Sequence, residues 1–285
     1  MKLVAAMLVF GSIGLFVRYI PLSSAGTALV RGALGAVFLA AASATAGRRI
    51  NLRAVQSNLW ALLFSGAAVG GNWILLFQAY KYTTISTATL CYYLAPVFVV
   101  MASPFLLREK LTFVKGGCIL LSLLGMILVA GITQGSGSGS GLGIVYGIGA
   151  AALYAAVMVL NKFLKNITVL DSTIAQLTIS CAVLLPYVLA TEDWSAVNFN
   201  LKGAVMLLIV GILHTGLCYF LYFGSIQALP AQTAAVLSYI DPVTAILLST
   251  LVLREPMNPR QWAGAVLILG STLLSELWRP GKEKN

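Results

Sequence analysis

Few residues in this chain can do chemistry, and those that can sit in long apolar surroundings. Asp241 precedes Pro242 inside an apolar run from 230 to 253. A proline frees backbone groups one turn upstream, so this carboxylate can titrate a proton or anchor a solute amine; it can equally cap the freed amides or pair with a cation. His214, the single histidine, lies halfway along the run from 202 to 226, with Cys218 and Tyr222 following at helical spacing. An imidazole there suits a proton relay, or a hydrogen-bonded packing role. Arg31 stands early in the run from 24 to 46, where it can hold a solute carboxylate or snorkel to the headgroups. Ionisable groups at membrane depth are costly and tend to face cavities, which makes these three the leading candidates.

Around them are aromatic and amide side chains. Trp73, Phe77 and Tyr80 fall at i, i+4 and i+7 on one helical face, flanked by Asn72 and Gln78; this is either a cavity wall or core packing. Tyr92 and Tyr93, Ser238 and Tyr239, and Tyr154, Met158 and Asn161 add hydroxyls and amides from three other runs. A lining so aromatic and so poor in charge suits zwitterions with apolar side chains, or flat organic solutes, better than phosphates or sugars. No H-E-x-x-H, G-x-S-x-G, paired aspartates or P-loop is present, so neither an enzyme nor a cofactor or metal is expected. Channel-like passage lacks a filter-like loop, although a facilitative uniporter would look the same in sequence. Cys91, Cys118, Cys181 and Cys218 all lie within apolar runs and read as small apolar residues.

The elements that must position these groups are membrane helices. The 285 residues are 59% hydrophobic and only 9% charged, with mean hydropathy +0.93, far from the quarter or so of charged residues in soluble domains. A span needs roughly 20 apolar residues with its backbone satisfied internally. Ten such stretches consume the chain: 3–20, 24–46, 57–80, 83–107, 113–132, 142–161, 168–190, 202–226, 230–253 and 260–278. The net charge of +10 is a topology signal rather than a nucleic-acid footprint. With the N-terminus inside, twelve of the 18 lysines and arginines fall on inner segments and five on outer loops, leaving Arg31 within a span; both termini are therefore expected in the cytoplasm. Lys2 ahead of an apolar run also fits a signal peptide, but the repeat described next needs this segment as its first helix. Gly66/Gly70 and Gly143/Gly147 are G-x-x-x-G pairs that allow close helix approach.

Sliding the chain along itself by 146 residues aligns Thr83–Glu109 with Leu229–Glu255, and nine of the 27 positions are identical. Tyr93 meets Tyr239, Pro96 meets Pro242, Ser103 meets Ser249, and Leu107-Arg108-Glu109 meets Leu253-Arg254-Glu255. Pro96 and Pro242 are the expected hinges. A repeat of five spans is odd in number, so its second copy is upside down, as in carriers that alternate access around a midplane site. The expected organisation is a first repeat over 1–134, a Gly/Ser linker over 135–141, a second repeat over 142–279 and a short cytoplasmic tail over 280–285.

The Tyr93-Leu-Ala-Pro96 and Tyr239-Ile-Asp-Pro242 turns, their Arg-Glu exits and the glycine-bearing helices that follow (Gly116, Gly117 and Gly125; Gly264 and Gly270) resemble the drug/metabolite transporter superfamily, specifically its ten-helix branch of paired EamA-type domains. The resemblance covers essentially the whole chain. It implies an all-α integral membrane protein of ten helices, two inverted five-helix repeats around a central cavity, working as a single polypeptide in the cell's inner membrane. It further implies transport of small organic metabolites, most often export, with similarity to bacterial exporters of amino acids, aromatic ones included. Drug efflux is the alternative cargo. No ATPase domain is present, so gradients must drive transport.

Overall fold

A computed structural model describes residues 2–106, 112–130, 138–192, 200–226 and 237–278. The described residues are helical throughout their regular structure: α1 (Lys2–Val17), α2 (Ser24–Thr45), α3 (Leu52–Ser57), α4 (Leu59–Tyr82), α5 (Ile85–Tyr92), α6 (Ala95–Leu106), α7 (Phe113–Ala130), α8 (Ser138–Asn161), α9 (Val169–Thr191), α10 (Leu201–Leu208), a π-helical segment (Ile209–Leu217), α11 (Cys218–Ile226), α12 (Ile240–Leu251) and α13 (Pro259–Leu277). Short α3 aside, these form ten apolar stretches in the expected order. Six are long and apolar enough to cross a membrane unaided, and Lys2–Val17, Phe113–Val129 and Ile240–Leu251 are shorter apolar helices.

The fourth stretch departs from the continuous span expected over 83–107: it breaks at Tyr93 and Leu94. Pro96 has no N–H to offer the carbonyl four residues earlier and its ring crowds that carbonyl, so α5 ends one turn upstream and α6 restarts at Ala95. Tyr239 adopts the same turn ahead of Pro242, where α12 begins at Ile240. The aligned residues Thr233 and Ala234, with the remainder of the run from 230 to 236, lie outside the described residues, as do Arg108 and Glu109. Of the linker, 135–137 is likewise undescribed, whereas Ser138–Gly141 correct the expectation by forming the first turn of α8. Serine is tolerated at a helix start, and the apolar run behind it propagates the helix.

Eight stretches close a ring. α1 packs on α12, α12 on α5, α5 and α6 on α8, α8 on α4, α4 on α9, α9 on α2, α2 on the π segment, and that segment with α11 back on α1. α7 and α13 pack against each other outside the ring, touching it mainly at α5 and α6. Exchanging the first five stretches for the last five carries the set of ring contacts, and the pairing of α7 with α13, onto itself.

Glycines set the tightest approaches. A Cβ on Gly66 would lie 2.8 Å from Ile179 and one on Gly143 would lie 2.7 Å from Thr83, so both G-x-x-x-G pairs are packing surfaces, against α9 and α5. Gly125 and Gly264 face each other's carbonyls where α7 crosses α13.

Candidate functional site

Arg31 is buried, with 5% of its surface accessible, and does not snorkel. The ring around it explains why: α2 turns this face toward α4 and the π segment. Its guanidinium carbon sits 4.2 Å from the Trp73 ring centroid and 5.6 Å from that of Phe77, so two members of the i, i+4 stripe form its bed. Its Nε donates to Thr215 Oγ1 at 2.7 Å. The ion pairs among the described residues are Arg18–Glu255 and Arg48–Asp171; none involves Arg31.

Thr215 was not a sequence candidate. It reaches Arg31 because the eighth stretch widens into a π helix, where Thr215 Oγ1 donates to Val210 O at 3.0 Å across five residues. π segments often accompany functional sites, yet no residue signature in Ile209–Leu217 announces one. Tyr219, one turn beyond, also escaped notice.

Asp241 lies in the first turn of α12, just past the turn at Tyr239, and accepts a hydrogen bond from Tyr93 Oη at 2.9 Å. It keeps accessible surface although protein surrounds it, the mark of a group facing an internal space. Tyr80, Tyr92 and Tyr219 lie within electrostatic reach of both Arg31 and Asp241, and the two charges do not pair. Tyr92 stacks on Tyr154 with centroids 5.1 Å apart, Tyr93 lies 6.2 Å from Tyr92 and 6.3 Å from Tyr239, and Ser238 is half-buried beside Tyr239. Tyr154 retains 39% of its surface, so this aromatic layer borders open space.

Other sequence candidates are occupied elsewhere. Asn72 donates to the Ala150 carbonyl at 2.6 Å, tying α4 to α8. Asn161 ends α8 and its Oδ1 accepts from Gln176, away from the aromatic layer. Gln78 accepts from Ser24 at 3.0 Å near the start of α2. His214 is fully buried against α1: Nε2 is 3.0 Å from Ser12 Oγ, Nδ1 is 3.3 Å from Ile209 O, and the ring meets Phe16 edge-on. Both nitrogens are used, and Thr215 rather than His214 faces Arg31. Pro96 and Pro242 flank the two breaks.

At the end expected outside, a group the sequence showed only as a repeated exit motif joins the ends of three helices. Arg254 adopts φ 54°, a left-handed conformation unfavourable for a side-chain-bearing residue, and so folds Glu255 back on its own helix. Glu255 then pairs with Arg18, accepts from Ser249 Oγ, and accepts the Ile85 N–H at 2.9 Å, joining the start of α5 to the end of α12. At the same end Glu192 accepts from Ser23 N at 2.8 Å and from Ser23 Oγ.

The EamA-like transporter family matches residues 1–131 and 141–277. The uncharacterized transporter YxxF of Bacillus subtilis is 30% identical over 99% of this chain and 90% of its own length. The uncharacterized inner membrane transporter YicL of Salmonella typhimurium is 26% identical over 96% and 93%, and the protein PecM of Dickeya dadantii is 27% identical over 76% and 73%. A crystal structure 18% identical in sequence superposes with TM-score 0.66 over 96% of this chain and 95% of the other, a likeness of fold alone. A ten-helix chain matched from end to end by transporters, with Arg31 and Asp241 inside its helical ring and no ion pair on either, is a multi-pass integral membrane transporter and not an enzyme, and it belongs to the EamA-like transporter family.

Proposed function

We propose that this transporter carries amino acids, with preference for aromatic or apolar side chains, outward across the inner membrane by alternating access at a site between Arg31 and Asp241. The observation that carries the reading is the pair of unmatched opposite charges within one aromatic enclosure. A buried charge without a partner is costly, and a zwitterion relieves both at once: its carboxylate meets the Arg31 guanidinium and its ammonium meets Asp241. Trp73, Tyr80, Tyr92, Tyr93, Tyr154 and Tyr239 supply flat surface for the side chain, with Ser238 at the edge and fully buried Phe77 backing the guanidinium; Asn72, Gln78, Asn161 and His214 hold the framework.

The contact pattern that survives exchange of the two halves supports reading them as inverted repeats. Each break before Pro96 and Pro242 supplies a hinge, and the Glu255 tie marks the outer gate in its closed position. The chain acts as a monomer with both termini in the cytoplasm, as the distribution of lysine and arginine supports.

Proteoliposomes loaded with single amino acids and diluted into solute-free buffer test this. Efflux of aromatic amino acids, competed by other free amino acids but not by their amides or decarboxylated amines, is expected. Equal competition by amines lacking the carboxylate would remove Arg31 from the site and the zwitterion with it.

A further inference from the structure

The Arg31 guanidinium is held by three side chains: the Trp73 and Phe77 rings lie against it, and Thr215 Oγ1 accepts from its Nε at 2.7 Å. The Thr215 hydroxyl is fully used. It donates its own proton to the Val210 carbonyl at 3.0 Å, and the residue has no exposed surface, so it touches no solute itself. Among the described residues, the two terminal amino groups of Arg31 make no hydrogen bond.

Close approach of the two backbones brings the threonine there. Gly211 lies against Leu34 and Gly216 against Phe38, so near that a Cβ on either would sit within 2.6 Å of those side chains, while Thr215 packs on Gly35. Leu34, Gly35 and Phe38 continue the face of α2 that begins at Arg31, at i+3, i+4 and i+7. In an α-helix residues five apart stand about 140° apart around the axis, and Gly211 and Gly216 could not both face α2. In Ile209–Leu217, where hydrogen bonds run between residues five apart, they do.

We propose that Thr215 is a positioning residue for the solute: by occupying Nε it turns the guanidinium so that its two terminal amino groups form a planar fork for a carboxylate, and so sets the preference for an acid over its amide. This rests on the zwitterion reading of the site. An arginine with Nε free can grip a carboxylate from the side or end-on; with Nε bonded to Thr215 the end-on fork remains, and the Trp73 face fixes its plane. Two parallel N–H···O bonds need both oxygens of a carboxylate. An amide offers one oxygen, which accepts a single bond however the guanidinium is turned.

Thermal-shift titrations of the purified full-length chain with phenylalanine and with phenylalanine amide test this through the ratio of their dissociation constants. Wild type is expected to favour the acid at least about 100-fold, the factor lost with a buried arginine–carboxylate pair. Thr215→Val keeps the branched shape and should shrink the ratio about tenfold or more, the worth of one charge-assisted hydrogen bond; Thr215→Ser should restore it. Gly35→Ala, whose methyl displaces Thr215 with its hydroxyl intact, should shrink the ratio in the same direction and serves if Thr215→Val fails to fold. Thr272→Val removes an equally buried hydroxyl on α13, one that donates to Ile268 O. It should leave the ratio unchanged, because loosened packing weakens acid and amide alike. A full wild-type ratio in Thr215→Val or Gly35→Ala overturns the proposal and leaves the zwitterion reading standing, as does an equal fall in Thr272→Val. Equal binding of acid and amide by the wild type overturns both.

Discussion

Replacing Arg31 by methionine separates a structural guanidinium from a solute-binding one. The side chain gives the fold a desolvated cation–π contact with Trp73, worth about 2 kcal/mol, and a charge-assisted hydrogen bond to Thr215, worth about 1.5–3 kcal/mol. Against these stands the cost of holding arginine within a span, up to the roughly 2.5–3.5 kcal/mol it reaches at the centre. The balance favours arginine by between about 0 and 2.5 kcal/mol, so Arg31→Met should destabilise the solute-free protein by about 1 kcal/mol, or a few degrees in Tm for a chain of this size. The bound state behaves differently. At a concentration of 100 Kd a ligand adds about 2.7 kcal/mol to the wild type. Breaking a buried arginine–carboxylate pair costs about 3–5 kcal/mol, so Kd rises at least about 100-fold, and the same concentration then adds only about 0.4 kcal/mol. Thermal unfolding followed by tryptophan fluorescence, with and without the most stabilising amino acid, measures both arms. The amide of that amino acid should stabilise wild type and variant equally. A variant several kcal/mol less stable on its own, yet still fully stabilised by the amino acid, would refute the argument and make Arg31 a packing residue.

Three further outcomes are expected. Asp241→Asn should keep solute binding, as judged by the same thermal shift, and lose the dependence of concentrative transport on a pH gradient; an unchanged pH dependence in proteoliposomes would show that the proton does not pass through this carboxylate. Trp73→Ala removes the guanidinium's bed and one aromatic wall, and should reduce transport of aromatic amino acids at least about tenfold more than that of alanine, whereas equal losses in a competitive uptake assay would point to packing. Glu255→Gln removes the ion pair with half-exposed Arg18, which contributes no more than about 1 kcal/mol, and weakens the caps on Ile85 and Ser249. Labelling of a cysteine placed at Tyr93 by an outside-added, membrane-impermeant reagent should then rise about five- to tenfold, and an unaltered rate would mean that Glu255 is not part of the gate.

The spans were legible because lipid leaves a backbone one solution: any run too apolar for water must close its own hydrogen bonds as helix. The breaks before Pro96 and Pro242 were legible in position, since proline marks them, though the extent of the turn at Tyr93 needed coordinates. Arg31 was legible as a candidate but not in its fate. Whether an arginine one turn or two into a helix snorkels or turns inward depends on how the helix is rotated, and that is set by neighbours 40 to 180 residues away. The π segment was silent, because an extra residue in a helical turn is enforced by packing and leaves no composition behind. Asn72 and His214 show the opposite difficulty: a polar residue at membrane depth is conspicuous whether it serves a solute or ties two helices together. Glu255 was visible only as half of a repeated Arg-Glu exit, since its role depends on Arg18 and Ile85 meeting it across the fold.

The ring whose contacts survive exchange of its halves is not matched by its chemistry, for Asp241 begins one half-helix while Ala95 begins the other. For a carrier built this way the two gates can be mechanical mirror images while the solute sees different surroundings from each side. Influx and efflux would then show unequal half-saturation concentrations and unequal maximal rates. In downhill exchange, energy conservation forces the ratio of rate to half-saturation to be the same in both directions. Direction in the cell would thus be set by the concentrations on either side and by any coupled ion, and the lopsided pair of half-helices would set only how soon each face saturates.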